Sequence, residues 1–227
     1  MRHGREGGVG ITIGLHAADG HTLGGYRAGP DDAACGLVVV QEIFGVNAHI
    51  RRVCDRFAEL GYAVIAPALF DRVRREMELG YGPKDVRAGM ALRAQVPEAG
   101  AIADIGAAAA ALPEACGVVG FCWGGTVSWW GATHTSVFRA AVCWYGGGIA
   151  RAKDDTPHCP VQLHFGEKDS SISMKDVRAI QAAQPGVEIH TYPGAGHGFG
   201  CDERATFDPA AYRLAEERTL AFLETHL

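Results

Sequence analysis

Three observations predict an α/β fold, with a mostly parallel central sheet and helices on both faces. Short continuous apolar runs such as "LVVV" (Leu37 to Val40) and "GVVGF" (Gly117 to Phe121) read as strands buried on both faces. Between them lie segments whose apolar residues recur at helical spacing, and glycines punctuate the turns. No repeat, linker or break in composition divides the 227 residues, so one domain over 1–227 is expected.

The elements follow in order. "ITIGLHAADGHTLGGYRA" carries two alternating stretches around Asp19-Gly20 and reads as a β-hairpin. After the "LVVV" strand, Asn47 can cap a helix bearing Ile50, Val53, Phe57 and Leu60, and Gly61 ends it. "YAVIAPALF" is the next buried strand, closed by Pro67. Pro83 to about Ala111 is helical, broken into two helices near Pro97. "CGVVGF" leads into a helix running through Trp130. "AAVCWYGGG", "PVQLHFGEKD" and "VEIHTYPGAGHG" are expected as three further buried strands, with a helix capped by Ser173 between the last two. Asp208-Pro209 places a cap and a proline in the order that opens a final helix.

Composition narrows the function. Hydrophobic residues at 48% supply a large core, and 21% charged residues suit a globular chain. A net charge of −5 with no basic face argues against nucleic acid as a partner. The cluster Arg72, Arg74, Arg75, followed by Glu76 and Glu78, reads as a solvated helix face. No apolar run approaches the roughly 20 residues of a membrane span, and "MRHGREGGVG" leads into no apolar signal region. The seven cysteines form no C-x-x-C pair, which disfavours a zinc site or a dithiol motif and suggests free thiols in the cytoplasm. Cys54, Cys143, His164 and His190 read as core residues. Neither a metal nor a cofactor is expected.

The chemistry-bearing residues fall at the carboxyl ends of strands, where open α/β sheets bind ligands. Gly120, Cys122 and Gly124 have the spacing of a G-x-S-x-G elbow with cysteine in place of serine. Asp169 follows "VQLHFG", His197 sits in "PGAGHGFG", and Glu42 follows "LVVV". The order nucleophile, acid, histidine is that of α/β-hydrolases. A thiol attacks as the thiolate, an imidazole can take its proton, and a carboxylate can fix the imidazole tautomer. The backbone N–H groups of Trp123 and Ile43 are the candidate oxyanion donors.

On these residues the chain resembles the dienelactone hydrolase family of α/β-hydrolases. "QEIFGVN" (Gln41 to Asn47), "GFCWGG" (Gly120 to Gly125), Asp169 after a strand, "GHGF" (Gly196 to Phe199) and "ERTLAFL" (Glu217 to Leu223) carry the likeness, from about residue 11 onward. The resemblance implies an α/β-hydrolase fold and hydrolysis of a carboxylic ester or lactone. The cysteine attacks, an acyl thioester forms, and histidine-activated water releases the acid. It also implies that Glu42 holds the resting thiol and swings away when substrate enters.

Two departures stand out. Family members that cleave dienelactone use an arginine four residues after the catalytic histidine, where this chain has Cys201, and a serine where it has Gly198. Arg87 is the candidate match for a second arginine, and Arg74, Arg75 and Arg204 are candidate substitutes for the missing one. Dienelactone is therefore expected to be a poor substrate. Phe44, Tyr145, Phe199 and Cys201 are candidate pocket residues, and Trp123, Phe70 and Tyr81 extend an aromatic wall. Two other readings stay open: a redox- or electrophile-responsive thiol at Cys122, with Cys201 as its resolving partner, and a silent binding module. The expected partner is a small ester or lactone, and the expected state is a monomer or small homo-oligomer.

Overall fold

The computed structural model describes residues 10–227, so the N-terminal segment read above for a signal sequence lies, but for Gly10, outside the described residues. Eight strands form one sheet in the order β1-β2-β4-β3-β5-β6-β7-β8. They are β1 (Ile11–His16), β2 (Thr22–Ala28), β3 (Gly36–Val40), β4 (Ala63–Pro67), β5 (Cys116–Phe121), β6 (Ala140–Trp144), β7 (Val161–Gly166) and β8 (Glu188–Tyr192). β1, β2 and β4 pair antiparallel, and every pairing from β4 through β3 to β8 is parallel. The six helices are α1 (Ala48–Glu59), α2 (Pro83–Arg93), α3 (Glu98–Ala110), α4 (Trp123–His134), α5 (Met174–Ala183) and α6 (Pro209–His226).

Local chemistry accounts for the boundaries. Gly20 turns the β1–β2 hairpin with a positive φ of 85°. Asn47 accepts a hydrogen bond from the Ile50 N–H at the start of α1, and Ser173 with Asp176 forms a capping box on α5. Asp208 accepts from the N–H groups of Ala210 and Ala211 ahead of Pro209, which opens α6.

Glycine parity shows which helices cover which face. A side chain at Gly120 would strike Ser128 of α4, whereas one at Gly117 would meet Leu223 of α6. These positions are three apart on β5 and so point to opposite faces. Gly36, which pairs with Cys116 on the Gly120 face, abuts Leu112 just beyond α3. α3 and α4 thus share one face, and α6 covers the other. α1 joins α6 through Arg56, 3.7 Å from Glu216. Buried between these layers, β3 through β6 read as continuous apolar runs, and β7 is equally buried but carries Gln162 and His164. β8 differs from its expectation: it is an edge strand, exposed or half-buried from Glu188 to Thr191, with Glu188 and His190 bonded to each other at 2.5 Å. α4 also runs four residues past Trp130.

Arg72 corrects the reading of a solvated cluster. Arg74 and Arg75 do face solvent, but Arg72 folds inward after a short 3-10 turn. Its guanidinium forks onto Asp104 of α3 with two 2.7 Å hydrogen bonds and donates a third, also 2.7 Å, to Asp19 in the hairpin turn. Gly100 leaves room for it, since a Cβ there would lie 2.8 Å from Arg72 Nε. Asp104 is fully buried, so removing its partner strands a charge. Arg72→Met is expected to lower unfolding free energy by about 3–5 kcal/mol in urea titrations, with partial recovery in Arg72→Met/Asp104→Leu. A loss below about 1 kcal/mol would show that the pair does not hold the hairpin to α3.

Candidate active site

The register of the sheet builds the site. β3 and β5 are parallel neighbours with Val40 opposite Gly120, and Glu42 and Cys122 each lie two residues beyond that pair. The chain leaves β3 toward β4 on one side and returns to β5 on the other, so this is where the strand order reverses. β7 delivers Asp169 three residues past Gly166, and β8 delivers His197 five past Tyr192.

Cys122 stands on a strained turn. Its φ of 55° and ψ of −117° lie in a region that disfavours a side chain, at a cost of about 1–3 kcal/mol. The surroundings enforce the strain. The Cys122 N–H donates to the Trp144 carbonyl at 3.0 Å, and its own carbonyl accepts from Gly125 N–H at 3.1 Å. A Cβ at Gly120 would sit 2.0 Å from the Gly124 carbonyl oxygen, one at Gly124 would sit 2.3 Å from the Val40 oxygen, and one at Gly125 would sit 2.5 Å from the Trp144 oxygen. All three obstacles are backbone, so each of these glycines is required for α4 to start this close to the sheet.

Cys122 Sγ lies 3.1 Å from His197 Nε2, and His197 Nδ1 lies 2.7 Å from Asp169 Oδ2. The buried Asp169 is held by its other oxygen, which accepts from the N–H groups of Ser171 and Ile172 at 2.7 and 3.1 Å. Tyr145 packs edge-on against the imidazole at 5.3 Å, and Thr206 donates to the His197 carbonyl at 2.7 Å. Burial lowers the proton affinity of His197, but the bonds to Asp169 and Cys122 outweigh it and push the pKa up to about 10.

That shift has a sign in stability. The folded pKa is above the unfolded value of 6.5, so the imidazolium contribution is whole below pH 6.5 and is lost as pH rises toward about 10. Unfolding free energy is expected to fall across this window, and His197→Gln to flatten the fall, in urea titrations at several pH values. Parallel pH profiles for the two proteins would contradict the shift.

The backbone N–H groups of Trp123 and Ile43 find no acceptor among the described residues. Gln41 fixes this loop: its amide donates to the Glu42 carbonyl at 3.2 Å, and its oxygen accepts from the Leu69 N–H at 3.1 Å. Phe70 stacks on Trp123 at 5.6 Å.

Glu42 departs from its expectation. Its carboxylate is turned to Arg204, whose Nη1 donates to Oε1 at 3.0 Å, while the thiol is bonded to His197. Arg204 is thus brought to the site at Glu42, and Gly198 explains how. With a φ of 76°, Gly198 lies directly beneath the guanidinium, and a Cβ there would be 2.5 Å from Nη1. The two departures seen in the sequence, at Gly198 and Cys201, therefore go together. Arg204 also lines a cleft of about 640 Å³ with Gly80, Tyr81, Gly82, Glu203, Ala205 and Thr206.

Other candidates do not reach the opening. Arg87 faces solvent on α2, away from Gly89, whose face abuts the Ile43 carbonyl. Phe44, Tyr145, Phe199 and Cys201 are all buried: Phe44 packs on Tyr81, Phe199 packs on Trp144 and Tyr145, and Tyr145 backs the His197 imidazole. Burial pushes the Cys201 thiol up to about 12, which keeps it protonated. His49, unmarked in the sequence reading, is buried in the first turn of α1, with Nδ1 2.9 Å from Asp202.

The model of the dienelactone hydrolase family matches residues 23–227. A "Putative carboxymethylenebutenolidase" of Synechocystis is 36% identical over 90% of this chain and 92% of its own length. A carboxymethylenebutenolidase of Pseudomonas putida is 32% identical over 93% of this chain and 94% of its own. A crystal structure from Klebsiella pneumoniae, titled a "Putative Dienelactone Hydrolase", superposes with a TM-score of 0.79 at 31% identity, covering 96% of this chain and 99% of that one. With its family match running from the second strand to the last helix, the chain belongs to the dienelactone hydrolase family and has the α/β fold of that family of hydrolases.

Proposed function

We propose that this protein hydrolyses carboxylic esters or lactones through a Cys122–His197–Asp169 triad, as a single α/β-hydrolase domain acting in the cytoplasm without a metal or cofactor. The observation that carries the reading is the sulfur 3.1 Å from an imidazole whose far nitrogen is 2.7 Å from a buried carboxylate. Such a ring, with its raised pKa, is placed to hold the proton that the sulfur gives up on attack. The N-terminus of α4 adds positive potential at the same sulfur.

The sulfur attacks the carbonyl carbon, and the oxygen takes up the negative charge facing the N–H groups of Trp123 and Ile43. As the tetrahedral centre collapses, Nε2 passes its proton to the departing alkoxide and the acyl thioester remains. Acylation consumes the thiolate, which removes one of the two bonds that raised the pKa of the ring. The imidazole is then able to take a proton from water, and the resulting hydroxide releases the acid and regenerates Cys122. Arg204, at the cleft with Nη1 on Glu42, is the group placed to meet an anionic substituent of the substrate.

The test is an intact-mass screen with lactones, aryl esters and thioesters. A transient acyl adduct that maps to Cys122 is expected, and turnover with no adduct on that residue would refute the triad. Dienelactone is expected to be among the slower substrates, since Cys201 replaces the arginine that its cleavage uses elsewhere in the family.

A further inference from the structure

We propose that Glu42, His49 and Cys201 form a binding site for a single zinc-like divalent cation beside the triad. The three come from separate segments: the loop after β3, the first turn of α1 and the loop after His197. One donor atom from each lies within 4.8 Å of the other two, and all three residues are buried.

Two orphaned atoms distinguish this cluster from ordinary packing. Glu42 Oε2 and His49 Nε2 are buried side-chain atoms with no hydrogen-bond partner among the described residues. Leaving such groups unpaired costs about 1–3 kcal/mol each, more for a charged one. The other atom of each group is already engaged, Glu42 Oε1 by Arg204 at 3.0 Å and His49 Nδ1 by Asp202 at 2.9 Å. Each partner thereby leaves the second donor atom of its group free.

The donor set selects the ion. Thiolate, imidazole and carboxylate together suit zinc, and three protein ligands leave one position open. Atoms bound to a tetrahedral zinc lie about 3.5 Å apart, so the cluster needs only a small contraction. A histidine whose other nitrogen is held by a carboxylate is the usual companion of such a metal. The Cys201 thiol gives its proton to solvent as the sulfur–metal bond forms, and thiolate plus carboxylate neutralise the ion. Arg204 keeps its own bond to the opposite oxygen of Glu42. This proposal is independent of the triad reading, because none of its three ligands is a triad residue.

The test titrates metal-stripped full-length protein with Co²⁺ and Zn²⁺. One Co²⁺ per chain is expected, with a sulfur-to-metal charge-transfer band that is absent from Cys201→Ser and His49→Gln and present in Cys122→Ser. Asp202→Asn is expected to weaken Zn²⁺ binding by about 10–100-fold. The Asp202 side chain is 45% exposed, so this variant carries the test if the buried substitutions fail to fold. A band lost in Cys122→Ser but kept in Cys201→Ser would move the metal to the triad and overturn the proposal. So would the absence of stoichiometric uptake, with bridging water satisfying the orphaned atoms, or an unchanged Zn²⁺ affinity in Asp202→Asn.

Discussion

Cys122→Ala is expected to reduce hydrolysis of activated aryl esters by at least about 10⁴-fold in kcat/KM, because no other group can take over the covalent step. Among the described residues the side chain's one hydrogen bond runs to His197 Nε2, and the strained turn is fixed by backbone bonds to Trp144, Gly125 and Thr126. The variant should therefore keep its fold, with a thermal transition close to the parent's. Intact mass should find no acyl adduct. Undiminished turnover, or an adduct that persists without the sulfur, would remove Cys122 from the reaction. A loss of activity accompanied by a collapsed thermal transition would point to a structural role, which the backbone bonding argues against.

The elbow at Cys122 and the convergence of His197 and Asp169 on it were legible in the sequence because their constraints are local. Gly120, Gly124 and Gly125 stand where any Cβ would meet backbone within about 2.5 Å, and that requirement is written in consecutive residues. The ends of buried parallel strands likewise mark where Asp169 and His197 must emerge. What stayed hidden depends on how loops fold back. Arg204 was one of four candidate arginines, and only the turn after Gly198 brings it to Glu42. His49 gave no signal, since a histidine in a helical first turn is unremarkable until Asp202 arrives from 153 residues away. Phe44, Tyr145 and Phe199 were assigned to a pocket because aromatic residues serve a wall and a core equally well, and composition does not separate the two. The exposure of β8 was within reach of its composition: Glu188, His190 and Thr191 put polar groups on both faces, as suits an edge strand. The inward turn of Arg72 was not, because its partners Asp19 and Asp104 lie on two other elements.

Asp169→Asn separates orientation from packing. The amide oxygen of asparagine can still accept from the Ser171 and Ile172 N–H groups, as Asp169 Oδ1 does, so the loop has no reason to move. Its NH₂ then faces His197 Nδ1, where a carboxylate oxygen stood at 2.7 Å. Two donors cannot meet, so Nδ1 must become the acceptor, and the ring proton moves to Nε2, facing the sulfur. That tautomer cannot take a proton from Cys122 or from water, and the imidazolium has lost its counter-charge. A kcat lower by about 10⁴-fold is expected, with KM changed little. Nitrogen-15 spectra of His197 should report the cause. The parent should hold an imidazolium well above neutral pH, in keeping with its pKa of about 10, and the variant a neutral ring protonated at Nε2. A variant that loses less than about tenfold in kcat while its ring stays charged at neutral pH would show that Asp169 packs beside the imidazole without directing it.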